Sequence, residues 1–241
     1  MSTQPPQPPK PAHAPPKRAV AFVDGQNLFH SAREAFGYDY PNYHPLALAD
    51  YICSERGWHC QQVRFYTGVP KRTDNLFWHN FWAAKRRFLT RDPRVYVFTR
   101  DTHYRNNRIS FAEDAGRIFL PNGQPLPEKT ELYLPTGKVI PGEFWVRTGE
   151  EKGIDVRIAL DMIRLTYRNE FDVGIIFSQD QDLSEVREIA RDQHRRIELF
   201  CAFPVSDQTT NPHAIRSTTA IAIDRAAYDV CLDPSNYHRP S

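Results

Sequence analysis

The sequence has little of what would place it in a membrane, outside the cell or in a disulfide-stapled class. No apolar run approaches the ~20 residues of a bilayer span, and no apolar signal-peptide core follows Met1. The expected location is therefore cytoplasmic. The four cysteines, Cys53, Cys60, Cys201 and Cys231, form no CxxC pair and no regular framework. Free thiols in a reducing cytosol are the simplest account, and His59-Cys60 is an isolated neighbour pair that makes a poor zinc site. Net charge is nearly absent, with 31 Lys and Arg against 29 Asp and Glu for a formal +2, and predicts no partner by itself. The glycine fingerprint of dinucleotide-binding turns is missing, and no internal repeat is visible. At 241 residues and 40% hydrophobic content, one good α/β core can be buried, so one domain is the default.

What is present centres on residues 171–183, FDVGIIFSQDQDL. An apolar, β-branched run ends abruptly at Ser178 and is followed by Asp180 and Asp182. That is the profile of a fully buried parallel strand, whose end opens into the crevice where open α/β folds bind ligands. The arrangement occurs once more near the start, where AVAFV (19–23) runs into Asp24-Gly25-Gln26-Asn27. If both strands are central and parallel, Asp24, Asp180 and Asp182 converge at one sheet edge, and their repulsion must be offset by cations. The pattern predicts a divalent-metal site.

Residues 1–18 hold seven of the twenty prolines and no aliphatic periodicity. They read as a disordered, polyproline-like tail, either recruiting a protein partner or merely solubilising the chain. Strands are then expected near 18–23, 62–66, 94–99, 173–178, 196–201 and 220–223. Helices are expected at 27–36, 45–55, 75–90, 153–167, 183–193 and 225–231. Such alternation means a parallel sheet with right-handed crossovers. The 153–167 segment is unusually apolar (Val156, Ile158, Ala159, Leu160, Met162, Ile163, Leu165), as expected of a helix packed inside the fold. Alternation breaks over 101–148, where prolines and glycines divide short strand-like pieces at 117–120, 131–134 and 143–146. An antiparallel hairpin excursion beside the active edge is predicted there.

Charge is uneven along the chain. Residues 71–108 carry ten cations, Lys71, Arg72, Lys85, Arg86 and Arg87 among them, against three acids. A solvated helix face is the plain reading, but Trp78, His79, Phe81, Trp82 and Tyr104 interleave with the cations. Bases stack on rings while Arg and Lys hold phosphates, so a polyanion surface is predicted. Trp78, Phe81 and Trp82 equally fit the i, i+3, i+4 spacing of a core stripe.

Asp155, opening the apolar helix, joins Asp24, Asp180 and Asp182 as a fourth acid. A Mg²⁺ or Mn²⁺ centre needs only one or two direct carboxylates plus waters, which leaves positions for phosphate oxygens. Asn27 and Ser178 would steady a carboxylate or the phosphate. Each acid has a plainer reading, since Asp24 and Asp182 could cap helices and Asp155 could be a first-turn acid favoured by the dipole. Two strand-end acids, a doublet at one of them and an acid opening an apolar helix together favour the metal. Asp161, off that face, reads as structural.

Val23-Asp24-Gly25-Gln26-Asn27, the segment 152–161 (KGIDVRIALD) and the segment 176–182 (IFSQDQD) closely resemble, in order and spacing, the NYN family of PIN-like nucleases. The likeness spans roughly 18–201. It departs at Gln179, where the family usually has Gly, and at Leu183, where Phe is common. The resemblance implies a PIN-like (Rossmann-like) α/β/α sandwich with a mostly parallel sheet. It also implies metal-dependent RNA cleavage, with the acidic roles on Asp24, Asp155, Asp180 and Asp182 and polar support from Asn27 and Ser178. The expected layout is a tail over 1–17, a nuclease domain over 18–233 with an insertion at about 101–148, and a C-terminal tail over 234–241. RNA would be guided by Lys71, Arg72, Lys85, Arg86, Arg87 and Lys152, and homo-oligomer formation is left open. A rival of another class is an RNA-binding or partner-recruiting module that keeps the acidic pocket but cuts weakly or not at all. A phosphatase built on the 180–184 segment is disfavoured, because the acid doublet comes two residues late after the strand.

Overall fold

The computed structural model describes residues 15–111, 118–119, 132–133, 143–151, 153–193, 197–210, 212–235 and 237. In chain order these form β1 (Arg18–Asp24), α1 (Gly25–Phe36), α2 (Pro45–Glu55), β2 (His59–Pro70), α3 (Leu76–Leu89) and β3 (Val95–Phe111). Then come β4 (Ile118–Phe119), β5 (Leu132–Tyr133), β6 (Glu143–Glu151), α4 (Ile154–Tyr167), β7 (Val173–Phe177) and a 3-10 turn (Gln181–Leu183). The chain closes with α5 (Ser184–Gln193), β8 (Glu198–Pro204), β9 (Thr219–Ile223) and α6 (Arg225–Asp229).

The strands lie in the order β5-β6-β3-β2-β1-β7-β8-β9, with β4 on β3. The six from β3 to β9 are parallel. β1 sits between β2 and β7, and its side chains divide by the period of two that a strand imposes. Ala19, Ala21 and Val23 join the apolar cluster beneath α1, α2 and α3, while Val20 and Phe22 join the cluster under α4 and α5. Helices on both faces of a parallel sheet make the predicted three-layer α/β/α sandwich, consistent with a PIN-like, Rossmann-like fold. Close packing of β7 depends on Gly174, where an added Cβ would stand 2.6 Å from Leu199 Cδ2.

Three expectations need correction or extension. β3 does not stop near Thr99 but runs to Phe111, because β6 pairs antiparallel with its second half from Thr102↔Glu151 to Ser110↔Glu143. This ribbon, with β4 and β5 on its flanks, is the hairpin expected in the 101–148 excursion; the rest of 112–142 lies outside the described residues, as do 1–14 and 238–241. Second, α4 is not packed inside the fold. Ile154, Ile158, Met162 and Leu165 face the sheet, but Val156 and Leu160 are 62% and 58% exposed, since only one side of the helix has anything to pack on. Third, Tyr237, beyond the expected domain end at 233, sets its ring against Phe81 and Phe88 of α3 and donates to Asp233 Oδ2 at 2.7 Å. Among the described residues, no helix is long and apolar enough to cross a membrane.

Candidate active site

Strand register decides which acids can meet. Val23↔Phe177 is the last β1–β7 pair, so Asp24 and Ser178 leave the sheet side by side at its carboxyl edge. Asp24 also pairs with Tyr66 of β2. Its extended backbone hands over directly to α1, and its Oδ1 accepts from Gln26 N (3.1 Å) and Asn27 N (3.0 Å). Asp24 is thus the N-cap that the plainer reading foresaw. The tight turn requires Gly25, where a Cβ would stand 2.7 Å from Phe65 Cζ and 3.0 Å from Tyr66 O.

Capping does not exhaust the role of Asp24, which is 5% exposed. Burial raises its carboxyl to about 6, further raised by the charges of Asp155 and Asp180, against the lowering effect of the two cap bonds. Asp155, half-buried in the first turn of α4, is raised by desolvation and then by the charges of Asp180 and Asp182. Asp24 and Asp155 thus each lie within electrostatic reach of Asp180, and Asp24 within reach of Asp155 as well. Asp182, exposed on the 3-10 turn, adds its charge at Asp155.

The loop after β7 is held by side chains rather than by packing. Ser178, buried, accepts from Asp180 N through its hydroxyl (3.2 Å), and Asp180 Oδ1 accepts from Asp182 N (2.9 Å). Asn27 Oδ1 accepts from Gln179 N at 2.9 Å, stapling this loop to the first turn of α1. The polar pair Asn27 and Ser178 therefore sets the acids in place. Gln179 turns its side chain away from them. Its Oε1 accepts from Ser31 Oγ (3.0 Å) and its Nε2 donates to His213 O (3.0 Å). Gln181 likewise spans to Ala214 O and Arg216 N. Residues 213–216, to which the sequence assigned nothing, thus border this edge.

Asp161 is structural as expected. Buried at 3% exposure, its Oδ2 accepts from Arg64 Nη1 (2.9 Å), Arg157 Nε (3.0 Å) and Tyr66 OH (3.0 Å). That cluster fastens α4, and Asp155 with it, to β2.

The cations expected to guide RNA separate. Lys71 and Arg72, after β2, and Arg86 and Arg87, on α3, are exposed. Lys85 is not part of that surface. It is fully buried, paired with Asp233 Oδ2 at 3.0 Å and donating to Pro41 O (3.1 Å) and Tyr43 O (2.7 Å). Burial lowers its ammonium to about 8, against the opposing pull of Asp233. The ammonium clamps the C-terminal segment to residues 41–43, and the Tyr43 hydroxyl in turn donates to Gly25 O (2.7 Å) beside Asp24. Lys152 lies outside the described residues, as do the side chains of Tyr104, Arg105 and Arg108. Of the aromatic stripe, Phe81 and Trp82 are core and Trp78 is partly buried against it.

The donor set is of the chemical type a hard divalent cation takes. It is made of oxygens alone, two of its carboxyls are pushed toward neutrality by burial and mutual repulsion, and a cation would reverse that push. Among the described residues, no group of three or more His, Cys, Asp or Glu side chains is arranged to hold a metal ion. Unscreened like charges stand apart, and Mg²⁺ keeps waters in most of its six positions, so closed protein cages are not its habit.

No curated protein matches the chain. Among solved structures, a protein of unknown function from Vibrio parahaemolyticus aligns with a TM-score of 0.47 and 15% identity, over 89% of this chain and 97% of that one. The family model of the NYN domain matches residues 136–224. That stretch holds Asp155, Ser178, Asp180 and Asp182, whereas β1 and α1, with Asp24 and Asn27, precede it. Residues 136–224 therefore match the NYN domain, a PIN-like nuclease family, as the sequence motifs imply.

Proposed function

We propose that this chain is a metal-dependent ribonuclease that hydrolyses RNA phosphodiester bonds at the edge formed by Asp24, Asp155 and Asp180, with Asp182 at its rim. One observation carries the reading: β1 and β7 are parallel neighbours, so Asp24 and the loop bearing Asp180 leave one sheet edge, where the Asp24 carboxyl, raised to about 6 chiefly by burial, is raised further by the charges of Asp155 and Asp180. A fold gains no stability from such an arrangement, so it has to be of use. Mg²⁺ or Mn²⁺ held by Asp24, Asp155, Asp180 and Asp182 would neutralise these charges and polarise a phosphodiester and its attacking water. Asn27 and Ser178 hold the two acid-bearing loops in register. Lys71, Arg72, Arg86, Arg87 and Lys152 would take the flanking phosphates, with the charge-driven, salt-sensitive affinity such pairings give. Four free cysteines suit a reducing cytoplasm.

The test is cleavage of a 5′-labelled RNA with Mg²⁺ or Mn²⁺ by the wild type, Asp24→Asn and Asp180→Asn. Loss of product in both variants is expected, and cleavage surviving both defeats the assignment. A second reading, an RNA-binding module that does not cut, draws on the commitment of Asp24 Oδ1 to the helix cap. Salt-sensitive RNA binding with no product under any divalent cation would favour it.

A further inference from the structure

A cavity of about 290 Å³ opens at the turn that follows Asp24, and the ribonuclease reading gives it no task. Gly25, the residue after Asp24, forms one wall. Phe29 and His30 of α1, Trp78 and Trp82 of α3 and Thr102 of β3 form most of the rest. Among the described residues, no Lys, Arg, Asp or Glu lines it. A concave, uncharged, ring-rich space next to a carboxylate edge suits a flat neutral group and is ill suited to a phosphate. Its volume falls just below the ~300–1,000 Å³ typical of pockets for drug-sized ligands, which favours a single small heterocycle.

Two features point to a polar edge on that group. Thr102 is 6% exposed, and its hydroxyl has no hydrogen-bond partner among the described residues. Such groups are few in folded proteins and cost stability when left unpaired; turning about Cα–Cβ would present the hydroxyl to an occupant. His30 adds an imidazole to the cavity wall, whose neutral form carries one donor and one acceptor nitrogen.

We propose that this cavity is a nucleobase subsite: it receives one unstacked base of single-stranded RNA against Trp78, with Thr102 bonding to the base edge, while the adjoining phosphate lies at Asp24. The proposal rests on the ribonuclease reading for its substrate class. It makes cleavage depend on unpaired RNA, because a base within a duplex cannot enter.

The experiment uses an unstructured RNA octamer and a set of octamers in which a single abasic ribose is walked through each position. Affinities are measured with Mg²⁺ for Asp180→Asn, which keeps the cavity lining, and for the same chain carrying Trp78→Ala or Thr102→Val. Cleavage of the intact octamer by the wild type is followed alongside. One position is expected at which removing the base weakens binding about 5- to 150-fold, the range for one base stacked on an aromatic ring, and Trp78→Ala should erase that dependence. Thr102→Val should weaken binding of the intact octamer about 2- to 12-fold while its melting temperature stays level or rises, since the unpaired hydroxyl is gone. A uniform effect of abasic sites, with RNA still bound and cleaved, overturns the subsite and leaves the nuclease standing. A position-specific effect without cleavage supports the subsite and overturns the nuclease. If Trp78→Ala unfolds, Thr102→Val decides alone, and unchanged affinity refutes the proposal.

Discussion

Replacing Asp24 by Asn separates a helix cap from a working carboxylate, because a cap alone predicts little change in stability whereas a strained buried charge predicts a gain. Asn caps as well as Asp, so the bonds to Gln26 N and Asn27 N are kept. What is lost is a charge whose carboxyl the fold raises from 3.8 to about 6. At 1.36 kcal/mol per unit, that is about 3 kcal/mol. The folded state holds this proton more tightly than the unfolded chain. The group's contribution is therefore fully present below about pH 4 and is lost as pH rises through 6. In EDTA at pH 7, Asp24→Asn should be about 3 kcal/mol more stable than the wild type by urea denaturation, a melting shift of about 6–12 °C for a chain of this size. The difference should shrink toward zero by pH 4. Added Mg²⁺ should stabilise the wild type more than the variant, by about 2.7 kcal/mol at a hundredfold excess over its Kd. A variant that is less stable than the wild type at pH 7, or that shows the same pH slope, would refute the reasoning and leave Asp24 a cap.

Removing one partner of the buried Lys85–Asp233 pair, as in Lys85→Met or Asp233→Ala, should cost about 3–5 kcal/mol of stability, with RNA affinity of the folded protein unchanged in an anisotropy titration. Arg86→Ala with Arg87→Ala should do the reverse. Stability stays within about 0.5 kcal/mol, while the log–log salt dependence of RNA binding flattens by about 0.7 for each phosphate that is no longer neutralised. Asn27→Ala leaves Gln179 N without its acceptor and should cost about 1–3 kcal/mol, and its kcat at saturating metal should fall further than the folded fraction measured by circular dichroism.

Much of this architecture was legible because the strands are buried on both faces. VGIIF and AVAFV cannot sit anywhere but the middle of a sheet, and Gly25 and Ser178 mark where they end. That Val23 and Phe177 are direct neighbours could only be supposed, since strand order depends on packing between segments ~150 residues apart. Lys85 shows a signal within reach that was outweighed by charge. It stands seven, four and three residues after Trp78, Phe81 and Trp82, on the same helix face, so periodicity turned it inward even though its partner, Asp233, is distant in sequence. α4 misled in the other direction. Its unusually apolar sequence suggested a helix packed inside the fold, yet a helix on an outer layer has one face to bury, and Val156 and Leu160 remain in water. The length of β3 was hidden because the segment 101–111, DTHYRNNRISF, is too polar to read as sheet interior. It is strand because β6 supplies its backbone hydrogen bonds. Gln179 and Gln181 could not be assigned before their acceptors on residues 213–214 were placed.

The central claim is that Asp24, Asp155 and Asp180 share one divalent cation, and anomalous diffraction from a crystal soaked in Mn²⁺ tests it most directly. A peak at the carboxyl edge of β1 and β7, within coordination distance of at least one of these carboxylates and absent in Asp24→Asn with Asp180→Asn, is the expected result. Mn²⁺ bound elsewhere, or an empty edge in protein that still cleaves RNA, would contradict the account.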